Sequence, residues 1–255
     1  MEKLLGLPVL ASKHGKEVDN LIIYVHWLML ALFIGWLIYF GYTLVRFRAS
    51  RNKKADYIGV RGHASNYIEG AVAVIEAILL IGFAIPLWAS VVDNPPPDSE
   101  STVVRVVAQQ FGWNNLYPGT NGAFGRQDMA LSSADNKFGK DKADPSGTDD
   151  FETLNDMHVV LNKPVLVYLT SMDVIHSFKI IALRVTQDAI PGMRIPLWFT
   201  PTQAGRYQIN CAQLCGAGHA SMSQGFLTVE TQDKYDAWVR EKSKGGAAGG
   251  ASAFE

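Results

Sequence analysis

Two long apolar runs constrain what this chain can fold into more than any other feature. Residues 21–45 contain no Asp, Glu, Lys or Arg, and residues 71–92 contain only Glu76. A helix of about 20 residues crosses the hydrocarbon core of a bilayer, so each run can span it with some tilt. A buried helix of a soluble core is the alternative, but both runs are longer than such helices need. The sequence therefore predicts a transmembrane hairpin over residues 21–94.

The charges that flank the runs predict its orientation. The connecting loop is basic, whereas acidic residues come first after the second run. The basic residues are Arg46, Arg48, Arg51, Lys53, Lys54 and Arg61, and the acidic ones are Asp93, Asp98 and Glu100. The positive-inside rule therefore predicts a cytoplasmic loop and external termini, on the periplasmic side if the membrane is a bacterial inner membrane. The net charge of −1 shows no basic excess that would favour nucleic acid.

Residues 1–20 lack the apolar core and the small-residue cleavage site of a signal peptide. They are expected to be an external N-terminal segment, and the first apolar run is expected to remain as an anchor. After the second run, Pro95, Pro96 and Pro97 stiffen the chain and mark a boundary.

Residues 95–244 are expected to form one external domain. Short runs of β-branched and aromatic residues alternate there with Gly, Pro and Asn, the pattern of a sandwich or barrel. The predicted strands are 102–109, 165–171, 177–181, 195–200, 205–210 and 225–230. Residues 132–150 are predicted to be a surface loop and residues 231–244 a helix. The Gly/Ala-rich residues 245–255 are expected to be disordered.

One short segment of this domain carries a candidate metal site. Cys211 and Cys215 are the only cysteines, and His219 and Met222 follow closely. A disulfide would close a very small loop and constrain little, so metal ligation is the better interpretation. Thiolate, imidazole and thioether together favour copper in an electron-transfer site. Zinc is the competitor.

A second histidine and the second thiolate enlarge this site. His176 lies in another predicted strand region and can complete it. A site with one copper needs one thiolate, whereas two thiolates can bridge two copper ions.

The whole chain resembles subunit II of cytochrome c oxidases, which are haem–copper oxidases. The family motif Cys-x-Glu-x-Cys-x₃-His-x₂-Met matches at Cys211, Cys215, His219 and Met222, and Asp-Val-Ile-His-Ser-Phe matches at residues 173–178. The resemblance implies an α+β membrane protein, with a two-helix transmembrane hairpin and a cupredoxin-like β-sandwich domain.

The resemblance also implies a binuclear CuA centre with two copper ions. Cys211 and Cys215 would bridge both ions, while His176 and His219 would each bind one. Met222 would be a weak axial ligand, and the backbone carbonyl of Gln213 would be the remaining one. The family usually has Glu at this last position, where the carboxylate helps to bind Mg²⁺ or Mn²⁺ at the contact with subunit I. The neutral Gln213 amide weakens the case for that ion.

The resemblance implies three further roles. The chain would accept electrons from cytochrome c or another c-type haem donor. It would pass them to the haem of subunit I for oxygen reduction coupled to proton pumping. Phe111 and Trp113 match an exposed aromatic segment for electron entry, with ordinary packing as the alternative. Glu69 matches a residue at a proton-path entrance, with a solvated interfacial residue as the alternative.

Three rival functions remain open at this point. A quinol oxidase subunit has the same fold but should lack the copper ligands, which are complete in this sequence. A nitrous-oxide reductase has the same copper motif, but on a soluble enzyme with another large domain. A membrane-tethered copper-delivery protein would favour exposed Cys or Met ligands for a single Cu(I).

Overall fold

The computed structural model describes residues 2–55, 57–59 and 62–246. The chain divides into two compact units. One comprises Met1–Leu7 and Glu17–Ser90, and the other comprises Pro8–Lys16 and Val91–Glu255. The predicted disorder of residues 247–255 lies outside the described residues, whereas residues 245 and 246 end the last helix.

The first unit is helical. Its elements are α1 (Glu2–Leu5), α2 (Gly15–Arg46), α3 (Ala64–Leu79), a π-helical segment (Leu80–Ala84) and α4 (Ile85–Val92). The last three form one continuous candidate span, Ala64–Val92, and α2 is the other. Phe33, Trp36 and Phe40 expose 59–67% of their surface. Water-facing helices do not display such apolar surface, so it suits contact with lipid.

The π-helical segment has a local cause in Pro86. A proline inside a helix lacks the N–H that would bond four residues back, and its ring clashes with that carbonyl. Here the carbonyl belongs to Gly82, inside the π segment. The wider turn accommodates the proline without ending the span.

The second unit is a β-sandwich of two five-stranded sheets, with the orders β3-β2-β1-β5-β8 and β4-β10-β9-β6-β7. The strands are β1 (Thr102–Gln109), β2 (Gly112–Tyr117), β3 (Phe151–Leu154), β4 (Asp156–Val160), β5 (Val165–Ser171), β6 (His176–Ile180), β7 (Val185–Ala189), β8 (Ile195–Phe199), β9 (Gly205–Cys211) and β10 (Gly225–Glu230). The six predicted strands are confirmed to within one residue, whereas β2, β3, β4 and β7 were not predicted. The predicted terminal helix is α5 (Gln232–Gly246).

The core lies between the sheets and follows the two-residue period of strands. Val104, Val106 and Ala108 of β1 are fully buried in it. Tyr117 links the sheets, because its hydroxyl accepts from the His158 N–H at 2.8 Å. Trp238 of α5 stacks on His158 with ring centroids 4.2 Å apart, which anchors the helix to the sandwich.

Part of the predicted external N-terminal segment belongs to the sandwich unit. Ala11 donates its N–H to the Ala182 carbonyl at 2.8 Å and accepts from the Thr202 N–H at 2.8 Å. The buried Ser12 hydroxyl donates to the Leu183 carbonyl at 2.6 Å. Residues 8–16 thus pack along the sandwich, which their composition did not indicate.

Candidate metal centre

Three chain segments bring the predicted copper ligands to one end of the sandwich. His176 is the first residue of β6 and Cys211 is the last of β9. These strands pair antiparallel with Phe178 opposite Cys211, so the two residues become neighbours. Cys215 lies in the following loop, and His219 and Met222 lie in the short 3₁₀ helix His219–Gln224.

The donor atoms converge. The two sulfur atoms are 4.0 Å apart and both cysteines are free. A disulfide would need about 2.05 Å, and metal–thiolate bonds of about 2.3 Å let both sulfurs reach the same ion. His176 Nδ1 lies 4.0 Å from Cys211 Sγ, and His219 Nδ1 lies 3.3 Å from Cys215 Sγ. The donor atoms of His176, Cys211 and Cys215 all lie within 4.8 Å of one another, so these residues could hold a metal ion, and His219 lies beside them at Cys215.

The weaker candidate ligands lie in the same loop. The Cys211 thiol donates to the Gln213 carbonyl at 3.1 Å, so this oxygen already faces the site. The Gln213 residue is exposed, which leaves its side chain free to contact a partner. Met222 is fully buried in the core cluster that includes Cys215.

Asp173 orients one of the imidazoles, a role that was not predicted. Its Oδ1 lies 2.9 Å from His176 Nε2, which leaves Nδ1 to face the sulfur atoms. A carboxylate behind a ligating histidine fixes the tautomer and the ring orientation. Burial favours the neutral acid, but hydrogen bonds from the Gln110 N–H, His176 and the Val174 N–H outweigh it, so the pKa of Asp173 is lowered.

The protonation of Cys215 is also set by its surroundings. Burial, followed by the neighbouring Cys211, raises the pKa of the Cys215 thiol to about 11. The metal-free thiol is therefore protonated at neutral pH. Metal binding must displace this proton, because the thiolate is the ligand.

Residues 110–113, which include two aromatic rings, contact the ligand loop, defined as residues 211–224. The Gln110 side chain donates to the Cys215 carbonyl at 2.6 Å. Phe111 packs so closely on Gly218 that a Cβ there would lie 2.4 Å from the ring. The Trp113 indole N–H donates to the Met222 carbonyl at 3.0 Å. These contacts fix the loop from which most of the candidate ligands come.

Trp113 is not an exposed ring, although the family segment that it matches has exposed rings. This side chain is fully buried and packs edge-on against Phe178, with ring centroids 5.2 Å apart. Trp113 belongs to β2, a strand that was not predicted, and its side chain points toward the core. Phe111 is half-buried and remains the ring nearer to the surface.

Glu69 lies elsewhere, in the helical unit near the start of α3. It is exposed, as is Glu76 on the same helix. Seven positions separate them, so they share one helix face and lie about 10 Å apart along the axis.

The residues at this site fit a soft metal centre: two thiols, two imidazoles, a thioether and a carbonyl oxygen. They stand at the end of a cupredoxin-like sandwich, in a chain that also carries two candidate membrane spans. The fold and the site thus define a β-sandwich protein with a candidate soft-metal centre and two candidate membrane spans.

Comparison with known proteins gives the particular family. The model of the cytochrome c oxidase subunit II periplasmic domain matches residues 102–229, half of the chain. The chain is 30% identical over 227 residues to the alternative cytochrome c oxidase subunit 2 of Bradyrhizobium diazoefficiens, covering 88% of this chain and 80% of the relative. The chain belongs to the cytochrome c oxidase subunit II family, and it is a subunit of a haem–copper terminal oxidase.

Other relatives are similar. Cytochrome c oxidase subunit 2 of Cereibacter sphaeroides is 29% identical over 245 residues, which cover 87% of this chain and 77% of the relative. The solved periplasmic domain of cytochrome oxidase subunit II from Bradyrhizobium japonicum is 27% identical, with a TM-score of 0.44. That match covers 60% of this chain and 99% of the solved chain. The predicted family and fold class are confirmed, and the two spans suit a membrane protein with an external domain.

Met222 provides a first test of the ligand set. We expect Met222→Leu to keep most of the copper but to shift the reduction potential and slow electron transfer, because a thioether is a weak, tuning ligand. The volume is conserved, so the free energy of unfolding should fall by less than about 1.5 kcal/mol. Redox titration measures the shift. Met157→Leu, at another fully buried methionine, is the control, and an equal potential in both variants would make Met222 a packing residue.

Proposed function

We propose that this chain accepts electrons one at a time from a cytochrome c or another c-type haem donor and passes them to subunit I. There they serve oxygen reduction coupled to proton pumping. The observation that carries the proposal is the pair of free sulfurs 4.0 Å apart, each with an imidazole beside it. A binuclear CuA centre, when bound, would supply a one-electron carrier with little geometric change.

In this proposal each side chain has its own task. Cys211 and Cys215 would supply the thiolates that hold the two ions, and His176 and His219 would each supply an imidazole. Met222 and the Gln213 carbonyl would be weaker donors. The strands hold His176 and Cys211 in place, while buried Met222 and Cys215 keep water from the inner side. A fixed, partly dry ligand set lowers the reorganisation that electron transfer requires.

We assign electron entry to the aromatic segment beside the ligand loop. Phe111 is the more accessible ring and packs on Gly216 and Gly218 of that loop. Trp113 lies further inside, bonded to the Met222 backbone and 6.1 Å from the His176 ring. The donor would therefore meet the surface near Phe111, with Trp113 as an inner positioning group.

We propose the membrane orientation from the charged residues that flank the two spans. A cytoplasmic loop between the spans leaves both termini and the sandwich outside, as the basic residues between the spans predict. This places the copper centre on the side where a soluble cytochrome c can reach it. Other oxidase subunits and lipid would cover the exposed apolar faces of the spans.

Glu69 is proposed to feed a proton path into subunit I, with Glu76 on the same helix face. We expect Glu69→Gln to slow turnover on the order of 10-fold, because proton delivery then lacks an ionisable group. Reduction of the copper centre by the donor should stay normal. Turnover across a pH series and rapid reduction kinetics measure the two effects. Glu100→Gln, an exposed acid outside the spans, is the control, and normal turnover of the Glu69 variant would leave it an interfacial residue.

Gln213 predicts a weak or empty site for a hard metal ion. Mg²⁺ and Mn²⁺ prefer charged oxygen ligands, and the exposed amide offers no charge. We expect Gln213→Glu to tighten Mn²⁺ binding on the order of 10-fold in the assembled oxidase. The copper spectrum should not change, because the ligand there is the backbone carbonyl. Paramagnetic resonance after growth in manganese measures both, and stoichiometric, tight Mn²⁺ in the natural form would contradict this account.

The activity itself is tested on the assembled oxidase. The oxidase should oxidise reduced cytochrome c while it reduces oxygen. It should not oxidise quinol when cytochrome c is absent. Oxidation of quinol without cytochrome c would favour the quinol oxidase alternative. Copper that transfers readily to another apoprotein would favour delivery, although the buried Cys215 and Met222 weigh against it.

A further inference from the structure

A cavity of about 400 Å³ lies away from the ligand loop, on the outer face of the first sheet. Its walls come from β1, β5, the loop between β2 and β3, and the turn before β8. Three cationic side chains line it: Arg105, Lys137 and Arg194. Among the described residues that line it there is no Asp or Glu.

Both arginines are held in place by aromatic rings. The Arg105 guanidinium lies 4.0 Å from the centroid of Phe124, and that of Arg194 lies 3.9 Å from the centroid of Tyr168. Such stacking fixes the plane of the guanidinium while leaving its N–H edge available. Arg105 also donates through Nη1 to Gln127.

Hydrogen-bond donors around Arg105 remain unused. Its Nε and the Gln127 Nε2 are buried, and neither has a hydrogen-bond partner in the described part of the chain. Buried donors without partners destabilise the folded state. An acceptor entering the cavity, with a small shift of the two side chains, would offset that cost.

The positive charge at Arg105 is only partly offset by its neighbours. Burial lowers the pKa of Arg105, and repulsion by Arg194 lowers it further. Asp150 and Asp98 act in the opposite direction but do not outweigh these effects. The two guanidinium groups thus repel each other where both line the same cavity, and a bound anion would reduce that repulsion.

Three methionines also line the cavity: Met129, Met172 and Met193. Thioethers can bind Cu(I), but three positive charges around the same space disfavour a cation. The methionines instead provide apolar walls, so the cavity suits an anionic group attached to a partly apolar body.

We propose that this cavity is a binding site for a phosphate group, carried by a soluble phosphate ester or by an anionic phospholipid. Guanidinium groups bind phosphate oxygens through paired N–H donors. A phosphate monoester with a charge of about −2 matches three cations better than a single carboxylate does, whereas a phospholipid diester carries one charge and relies on its paired oxygens. None of the candidate copper ligands lines this cavity.

The test is a calorimetric titration with inorganic phosphate. The protein is the copper-loaded full chain in neutral detergent. We expect saturable binding that Arg194→Gln weakens at least 10-fold. Arg206→Gln removes the same charge from an exposed arginine of β9, in the other sheet, and should leave binding unchanged. Absence of saturable binding, or equal weakening in both variants, would overturn the proposal.

Two further measurements sharpen the result. Arg194→Lys keeps the charge but not the paired donors, so it should bind phosphate more weakly than the natural chain. A lysine variant with unchanged affinity would contradict the guanidinium geometry. Glycerol phosphate and a short-chain phosphatidylglycerol, each competed against inorganic phosphate, then identify the source. Competition by either one supports the site, and competition by neither contradicts it.

Discussion

Cys211→Ser should abolish the mixed-valence copper signal and most of the electron transfer from cytochrome c. Cys211 Sγ lies 4.0 Å from both His176 Nδ1 and Cys215 Sγ. A serine hydroxyl is a hard, weak donor for copper, so one bridge is lost while the fold keeps its shape. The copper content should fall from two ions per chain to one or fewer, as metal analysis and the visible spectrum will show.

The neighbouring residue gives a matched control for this change. Ala212→Ser adds a hydroxyl at an exposed position beside Cys211 without removing a ligand. It should keep both ions, the spectrum and the activity. A Cys211→Ser chain that still shows a full two-copper spectrum would end the bridging assignment.

Trp113→Ala should cause the largest loss of stability outside the ligands. The side chain is fully buried, packs edge-on against Phe178, and its N–H bonds to the Met222 carbonyl. Removing so large a buried side chain costs about 3–5 kcal/mol. Chemical unfolding of the full chain in detergent measures the loss of stability. The transition is monitored by circular dichroism rather than by tryptophan fluorescence, because the substitution removes a tryptophan.

Trp113→Phe separates packing from positioning. It keeps a ring but leaves the buried Met222 carbonyl without its donor, a loss of about 1–3 kcal/mol. Because Met222 is a proposed axial ligand, the reduction potential should shift as well. Phe199→Leu, at an equally buried ring of β8 in the other sheet from the ligand strands, is the control and should lower stability without a comparable shift. Equal potentials in both variants would make Trp113 a packing residue only.

The strands that sequence predicts are those with continuous β-branched character, such as β1. Strand β2 escapes prediction because Asn114 and Asn115 are normally depleted in strands. The structure buries both: Asn114 donates to the Val107 carbonyl at 3.0 Å and Asn115 donates to Thr153 at 3.2 Å, while the Asn115 Oδ1 has no partner among the described residues. These partners come from neighbouring strands, so no local pattern reveals them.

The candidate ligands can be predicted from residue types and spacing. The residues that hold these ligands in place cannot. Asp173 stands three positions before His176, yet only the fold shows that its carboxylate faces the ring nitrogen away from the sulfurs. The burial of Trp113 depends in the same way on the register of β2 against β1, where it pairs with Ala108. The packing of residues 8–16 along the sandwich likewise depends on backbone hydrogen bonds that any residue type can make.

Paramagnetic resonance of the copper-loaded full chain, combined with metal analysis, tests the central claim most directly. The two free thiols and the two flanking imidazoles predict two copper ions per chain. They also predict one unpaired electron whose hyperfine pattern reports two equivalent copper nuclei. A single copper ion with the pattern of one nucleus, or a silent zinc complex of the same residues, would contradict the account.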